Sequence, residues 1–183
     1  MRGIGAALAE IAGRHPDLLI VFPLHRNPVV REAIRPALEG LPNALLVDPL
    51  SYGSFVRLMK RAHILLTDSG GIQEEGPSLG KPVLVMRGTT ERPEAVAAGT
   101  ARLVGTQPRA IVEAVDTLLA DREVYEAMAN AVNPYGDGQA ARRTVAALTH
   151  FFDLGPPPDE FEISRPRELQ SATPTEWMAQ HAG

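Results

Sequence analysis

Five short apolar runs punctuate this chain, and their spacing limits its fold more than any other feature. They are Leu18–Phe22, Ala44–Val47, His63–Thr67, Val83–Met86 and Ala101–Val104. The first, LLIVF, is continuous and contains β-branched residues, the pattern of a strand covered on both faces in a parallel sheet. Helical patterns sit beside these runs. Gly5–Arg14 carries apolar residues at positions 7, 8, 11 and 12. Asn27–Leu38 opens with Asn27 as N-cap and Pro28 at the first helical position. Tyr52–Ala62 follows Ser51, its expected cap. Pro108–Ala120 places Ile111, Val115, Leu118 and Leu119 on one face. Glu123–Val132 and Gly138–Phe152 are read as two further helices. Strands alternating with helices predict βαβ units, right-handed crossovers and one parallel sheet. The expectation is a single α/β domain over residues 1–152.

From Asp153 the composition changes. Pro156, Pro157, Pro158, Pro166 and Pro174 lie among acids and small polar residues. Residues 153–183 therefore read as a disordered tail, with a short helix around Trp177. The formal net charge of −4 lacks the basic footprint that nucleic acid or an anionic membrane demands. Zero cysteines exclude disulfides, iron–sulfur ligation and thiolate zinc sites. No HxxxH or HExxH spacing occurs, so no metal is expected; no cofactor is expected either. No apolar run is long enough for a transmembrane helix. The segment Met1–Gly5 has no hydrophobic leader, and a cytoplasmic location is expected.

The stretch Thr67–Ala95, TDSGGIQEEGPSLGKPVLVMRGTTERPEA, concentrates the chemistry. In open α/β sheets, ligands bind where strand C-terminal ends meet helix N-termini, and here two successive strand ends carry polar residues. Ser69-Gly70-Gly71 lies between a strand and a helix. Glycines let backbone amides approach a ligand, and free amides at a helix start attract phosphate. The turn is neither a P-loop nor a GxGxxG fingerprint, so a diphosphate cradle and a plain turn both remain open. Glu74 and Glu75, adjacent on a helix, point about 100° apart. One of them can face the cleft and accept bonds from sugar hydroxyls; the other reading is a solvated helix face. Gly76 and Pro77 both weaken the helix that carries them. Arg92, in the loop after the fourth strand, suits phosphate or is a surface arginine. Phe55 is a core residue or a ring that stacks on a base. His25 ends the first strand run on the presumed ligand edge.

The block from Thr67 to Thr106 resembles the C-terminal half of the non-hydrolysing UDP-N-acetylglucosamine 2-epimerases. So do FPLHRNPVVRE (Phe22–Glu32), DPLSYGSFVRLM (Asp48–Met59) and NPYGDGQA (Asn133–Ala140). The similarity spans about residues 5–152. It implies the C-terminal Rossmann-like half of a GT-B architecture, with the nucleotide sugar held between two domains. It implies an isomerase that eliminates UDP from UDP-GlcNAc, leaving a 2-acetamidoglucal, and adds it back after protonation on the other face to give UDP-ManNAc. Carried to these positions, Phe55 would pack on uracil, and Ser69, Gly70 and Gly71 would bind phosphate. Glu75 would bind the ribose hydroxyls, Arg92 would lie at the diphosphate–sugar region, and His25 would lie near the substrate or a regulatory UDP-GlcNAc.

The same resemblance places the family's catalytic histidine, in a His-Arg-Arg-Glu-Asn-type segment, and its proton-moving carboxylates N-terminal to the matching region. No catalytic residue is therefore assigned. The chain alone is expected to bind UDP weakly and not to epimerise, as though the reading frame began late or the gene were split. Its expected partners are UDP-GlcNAc or UDP, a second copy in a homodimer, or a separately encoded N-terminal domain. Val145, Leu148, Phe151 and Phe152 are expected to be exposed on the last helix. The alternatives are a non-catalytic UDP-sugar-binding module, half of a split enzyme, or the C-terminal domain of a GT-B glycosyltransferase.

Overall fold

The strands run parallel because each is followed by a segment that returns the chain to the same starting edge. The computed structural model describes residues 1–161. The order is α1 (Arg2–Arg14), β1 (Ile20–Pro23), α2 (Pro28–Leu38), β2 (Ala44–Val47), α3 (Tyr52–Arg61), β3 (Leu65–Thr67) and α4 (Gly70–Ser78). It continues with β4 (Val83–Val85), α5 (Pro93–Ala97), β5 (Ala101–Leu103), α6 (Pro108–Ala120), α7 (Arg122–Ala129) and α8 (Ala140–Phe151). Every strand pair is parallel: Ile20 stands opposite Ala44, Leu65 opposite Val83, and Val83 opposite Ala101. The expected helix near Trp177 lies outside the described residues.

The strands form two hydrogen-bonded ladders, β1–β2 and β3–β4–β5, where one continuous sheet was expected. Pro23 supplies a physical reason. The amides of Ile20 and Leu24 donate to the carbonyls of Asn43 and Val47, at 2.9 and 2.8 Å, on the β2 side. Alternation turns position 23 to the opposite side, where proline has no N–H to offer. The ladders nevertheless share a core. Ile20, Phe22, Ile64, Leu66, Leu84 and Met86 belong to one apolar cluster with Ile4, Leu8 and Ile11 of α1, Ile34 and Leu38 of α2, and Ile111, Val115 and Leu118 of α6. Burying each such large side chain contributes roughly 1.5–3 kcal/mol. The opposite residues, Leu65, Val83 and Val85, pack with Met59 and Phe55 of α3 and Ile72 of α4. The arrangement is thus helices on both faces of parallel strands.

Local sequence explains most element boundaries. Asn27 caps α2, its Oδ1 accepting the Val29 amide at 3.0 Å. Ser51 occupies the N-cap position of α3 but makes no capping bond; its hydroxyl donates to Ser54 Oγ at 3.1 Å. The first strand begins two residues later than the LLIVF run. Asn43 Nδ2 lies 3.0 Å from each of the carbonyls of Ala12, His15 and Leu18, so Leu18 belongs to the entry turn and Leu19 is exposed. The loop after β4 that carries Arg92 ends in the short helix α5, with Pro93 at its start. The proline-rich segment after Asp153 lies against α8 as far as it is described. Arg142 pairs with Asp159 at 2.7 Å, and the Arg143 guanidinium stands 5.5 Å above the Phe161 ring.

Candidate functional site

At the C-terminal end of β3, Thr67 is buried and its Oγ1 accepts the Ser69 amide at 3.0 Å. That bond turns the chain sharply into α4. Ser69 is the N-cap, and its side chain makes no capping bond. The first amides of α4, at Gly70 and Gly71, are therefore left without a side-chain cap. Ser69 and Gly71 are exposed and Gly70 is half-buried. An uncapped helix start carries a partial positive charge and free donors.

The loop after β4 reaches the same place. A Cβ built on Gly70 would lie 3.9 Å from Cζ and Nη2 of Arg92. Arg92 Nε pairs with Glu74 and Nη1 donates to the Glu91 carbonyl at 3.1 Å. Glu74 holds the guanidinium charged, raising its pKa above the ordinary arginine value. The neighbouring Glu75 turns the other way. Its Oε1 lies 3.9 Å from where a Cβ on Gly71 would stand, and its Oε2 accepts the Tyr52 hydroxyl at 3.1 Å. That bond and the carboxylate charge raise the Tyr52 pKa. Ser69, Gly70, Gly71, Glu75 and Arg92 are thus gathered within one patch.

Other contacts hold Phe55 and His25. Phe55 is half-buried against the cluster of Met59, Leu65 and Val83. Its position three residues after Tyr52 puts both rings on one face of α3. His25 is exposed beyond the end of β1. Its Nδ1 accepts the Asn27 amide at 3.1 Å, which assigns the ring proton to Nε2, and its carbonyl accepts Arg31 Nε at 2.9 Å. Arg31 continues to Asp48 at 3.0 Å. No hydrogen bond joins His25 to the Ser69–Gly71 patch among the described residues.

Three residues that sequence reasoning did not select build the patch. Tyr52 holds Glu75. Gln73, fully buried, donates from Nε2 to the Ser69 carbonyl at 3.2 Å and accepts the Thr90 hydroxyl at 2.6 Å. Thr90 in turn accepts the Arg92 amide at 3.0 Å. The sequence signal was faint: a Gln three residues into a glycine-led helix reads as surface. Gly76 has a packing role. A Cβ there would meet Val83 Cγ2 at 2.6 Å and Leu65 Cδ1 at 2.9 Å, so glycine lets α4 lie directly on β3 and β4.

The patch opens to solvent at Ser69 and Gly71. Two hollows lie elsewhere: one of about 200 Å³ between α8 and Pro156–Asp159, the other of about 310 Å³ beside Gly13, Pro16 and Asn43. Among the described residues no group of three or more His, Asp or Glu could hold a metal. Nor is any described helix long and apolar enough to cross a membrane.

The chain is similar to known proteins in sequence and fold. The UDP-N-acetylglucosamine 2-epimerase family model matches residues 1–149. The UDP-N-acetylglucosamine 2-epimerase of Escherichia coli K12 is 61% identical over 142 residues, which cover 78% of this chain and 38% of that protein. The crystal structure of UDP-GlcNAc 2-epimerase from Neisseria meningitidis bound to UDP-GlcNAc superposes with a TM-score of 0.78 at 51% identity, covering 81% of this chain and 40% of that one. The S. aureus MnaA–UDP co-structure gives a TM-score of 0.81 at 40% identity, covering 87% and 44%. The chain therefore spans well under half the length of these relatives. With parallel strands, flanking helices and a family match over most of its length, it belongs to the UDP-N-acetylglucosamine 2-epimerase family.

Proposed function

We propose that residues 1–152 form the nucleotide-binding domain of a UDP-GlcNAc 2-epimerase and that the patch at the ends of β3 and β4 holds the diphosphate of UDP. One observation carries this reading: the uncapped Ser69-Gly70-Gly71 turn and the Arg92 guanidinium, from successive strand ends, stand against each other. Relatives in the family have been solved with UDP or UDP-GlcNAc bound, which supports the ligand class.

The roles follow from chemistry. Amides of Gly70 and Gly71 and the Ser69 hydroxyl donate to phosphate oxygens. Arg92 adds a charged, planar donor. Glu75 takes the ribose hydroxyls, its carboxylate oxygens accepting, with Tyr52 steadying it. Phe55 offers a ring edge to the uracil, and His25 stands farther along the sheet edge toward substrate or a second nucleotide sugar. In the proposed reaction UDP is the leaving group in an anti elimination. Donors aimed at the diphosphate stabilise the charge that develops as the C1–O bond breaks. UDP then adds back to the 2-acetamidoglucal to give UDP-ManNAc. Moving the C2 proton requires an acid–base group within hydrogen-bond reach; none of the patch residues is assigned that task. The complete enzyme would combine this domain with a domain that moves the proton.

Isothermal titration of UDP into the intact chain tests the reading. Binding that weakens in Glu75→Ala supports it; no heat of binding at millimolar UDP sinks it. A coupled assay for UDP-ManNAc should show no turnover by the chain alone.

A further inference from the structure

Resting on the UDP-binding reading above, we infer that Gln73 is a positioning residue that locks the two anion-binding arms into one geometry, with Thr90 as its relay. The hydrogen-bond directions admit one solution. The Ser69 carbonyl can only accept, so the amide nitrogen of Gln73 faces it at 3.2 Å. Gln73 Oε1 can only accept, so the Thr90 hydroxyl donates to it at 2.6 Å. With its proton committed, the Thr90 oxygen accepts the Arg92 amide at 3.0 Å. Donor and acceptor inventories leave no other assignment.

Each end of this chain sets one arm. The Ser69 carbonyl and the Gly70 N–H belong to the same planar, trans peptide unit. Holding the carbonyl oxygen inward therefore fixes the outward direction of the Gly70 N–H. At the other end, anchoring the Arg92 amide fixes the start of the side chain whose Nη2 sits against Gly70. Gln73 is fully buried, so water does not compete for these bonds. A positioned donor array loses affinity for its anion when its geometry loosens, because the anion must then order it.

Gln73→Leu would orphan the Ser69 carbonyl as well as the Thr90 hydroxyl, so it probes folding along with positioning. Thr90→Val leaves the Gln73–Ser69 bond in place and removes the relay, unpairing Gln73 Oε1 and the Arg92 amide, so the uridine control and the serine rescue separate positioning from folding. In the full chain, UDP affinity measured by calorimetry should fall about tenfold in Thr90→Val. Uridine, which has no phosphate, should bind within about twofold of the unmodified chain when titrated by NMR. Thr90→Ser restores the hydroxyl and should restore UDP affinity. Unchanged UDP affinity in Thr90→Val, equal weakening of UDP and uridine, or failure of serine to rescue would each overturn the inference. If the unmodified chain binds no UDP, the nucleotide reading fails first and the coupling falls with it.

Discussion

The Arg92 guanidinium stands 3.9 Å from the point where a Cβ on Gly70 would project. That distance is ordinary van der Waals contact, so alanine fits at Gly70 without displacing anything. Gly70 also has no positive φ among the glycines that do. Gly70→Ala should therefore leave stability unchanged or slightly improved, since alanine is the better helix residue. It should nevertheless weaken UDP binding about tenfold, because a methyl group now stands where the phosphate approaches. Thermal unfolding and calorimetry on the same variant check both halves.

Gly76→Ala should behave in the opposite way. Its Cβ would lie 2.6 Å from Val83 Cγ2 and 2.9 Å from Leu65 Cδ1, so either these buried side chains or α4 must shift. Overpacking of this kind costs about 1–3 kcal/mol. Denaturant unfolding should report the loss directly.

Arg92→Ala removes a charged donor, and a hydrogen bond to a charged group contributes roughly 1.5–3 kcal/mol. UDP affinity should then fall roughly ten- to hundredfold, and its salt dependence should flatten. Arg92→Lys should recover only part of this, because the ammonium lacks the planar fork that also engages Glu74. Titrations at low and high ionic strength separate the two variants.

Asp137 accepts both Arg143 guanidinium nitrogens, at 2.7 and 2.8 Å, and the Gln139 amide at 3.0 Å. The Arg143 hydrogen bonds, then the Gln139 amide, hold its carboxyl far below the usual aspartate value of 3.8. A depressed carboxylate pKa stabilises the fold at pH above the unfolded value and loses that contribution as pH falls through the folded one. The Asp137 contribution should thus be complete above about pH 3.8 and be lost progressively as pH falls below that toward the depressed folded value. Asp137→Asn should flatten that acid limb of the stability profile.

How much of this was legible in the sequence depends on whether the information was local. Asn27 and Pro28 marked the start of α2 because capping is decided by a few adjacent residues. The parallel α/β order was visible for the same reason: apolar runs and helical periods are short-range patterns. The late start of β1 was hidden because the three carbonyls gathered by Asn43 come from distant positions. The split into two ladders hinged on Pro23, whose missing N–H matters only once its neighbours are known. In the patch, the glycine turn and Arg92 were singled out by residue type, whereas Glu75 was separated from Glu74 only by the family resemblance. Gln73 and Thr90 were not singled out, since a polar residue announces itself only when burial is known. The exposure of Val145, Leu148 and Phe151 on α8 and of Phe152 at its end agrees with what the family resemblance implied.

The most direct test of the central claim is a titration of the isotope-labelled chain with UDP, following the backbone amides of Gly70 and Gly71 and the Arg92 side-chain Nε–H by NMR. Hydrogen bonds to phosphate from the two amides and from Arg92 Nη2 should move all three resonances together and saturably, the Glu74-bound Nε–H reporting on the guanidinium it shares with Nη2, and inorganic pyrophosphate should move them in the same direction. If UDP binds while these three signals stay fixed and others shift, the diphosphate sits elsewhere and the account is wrong.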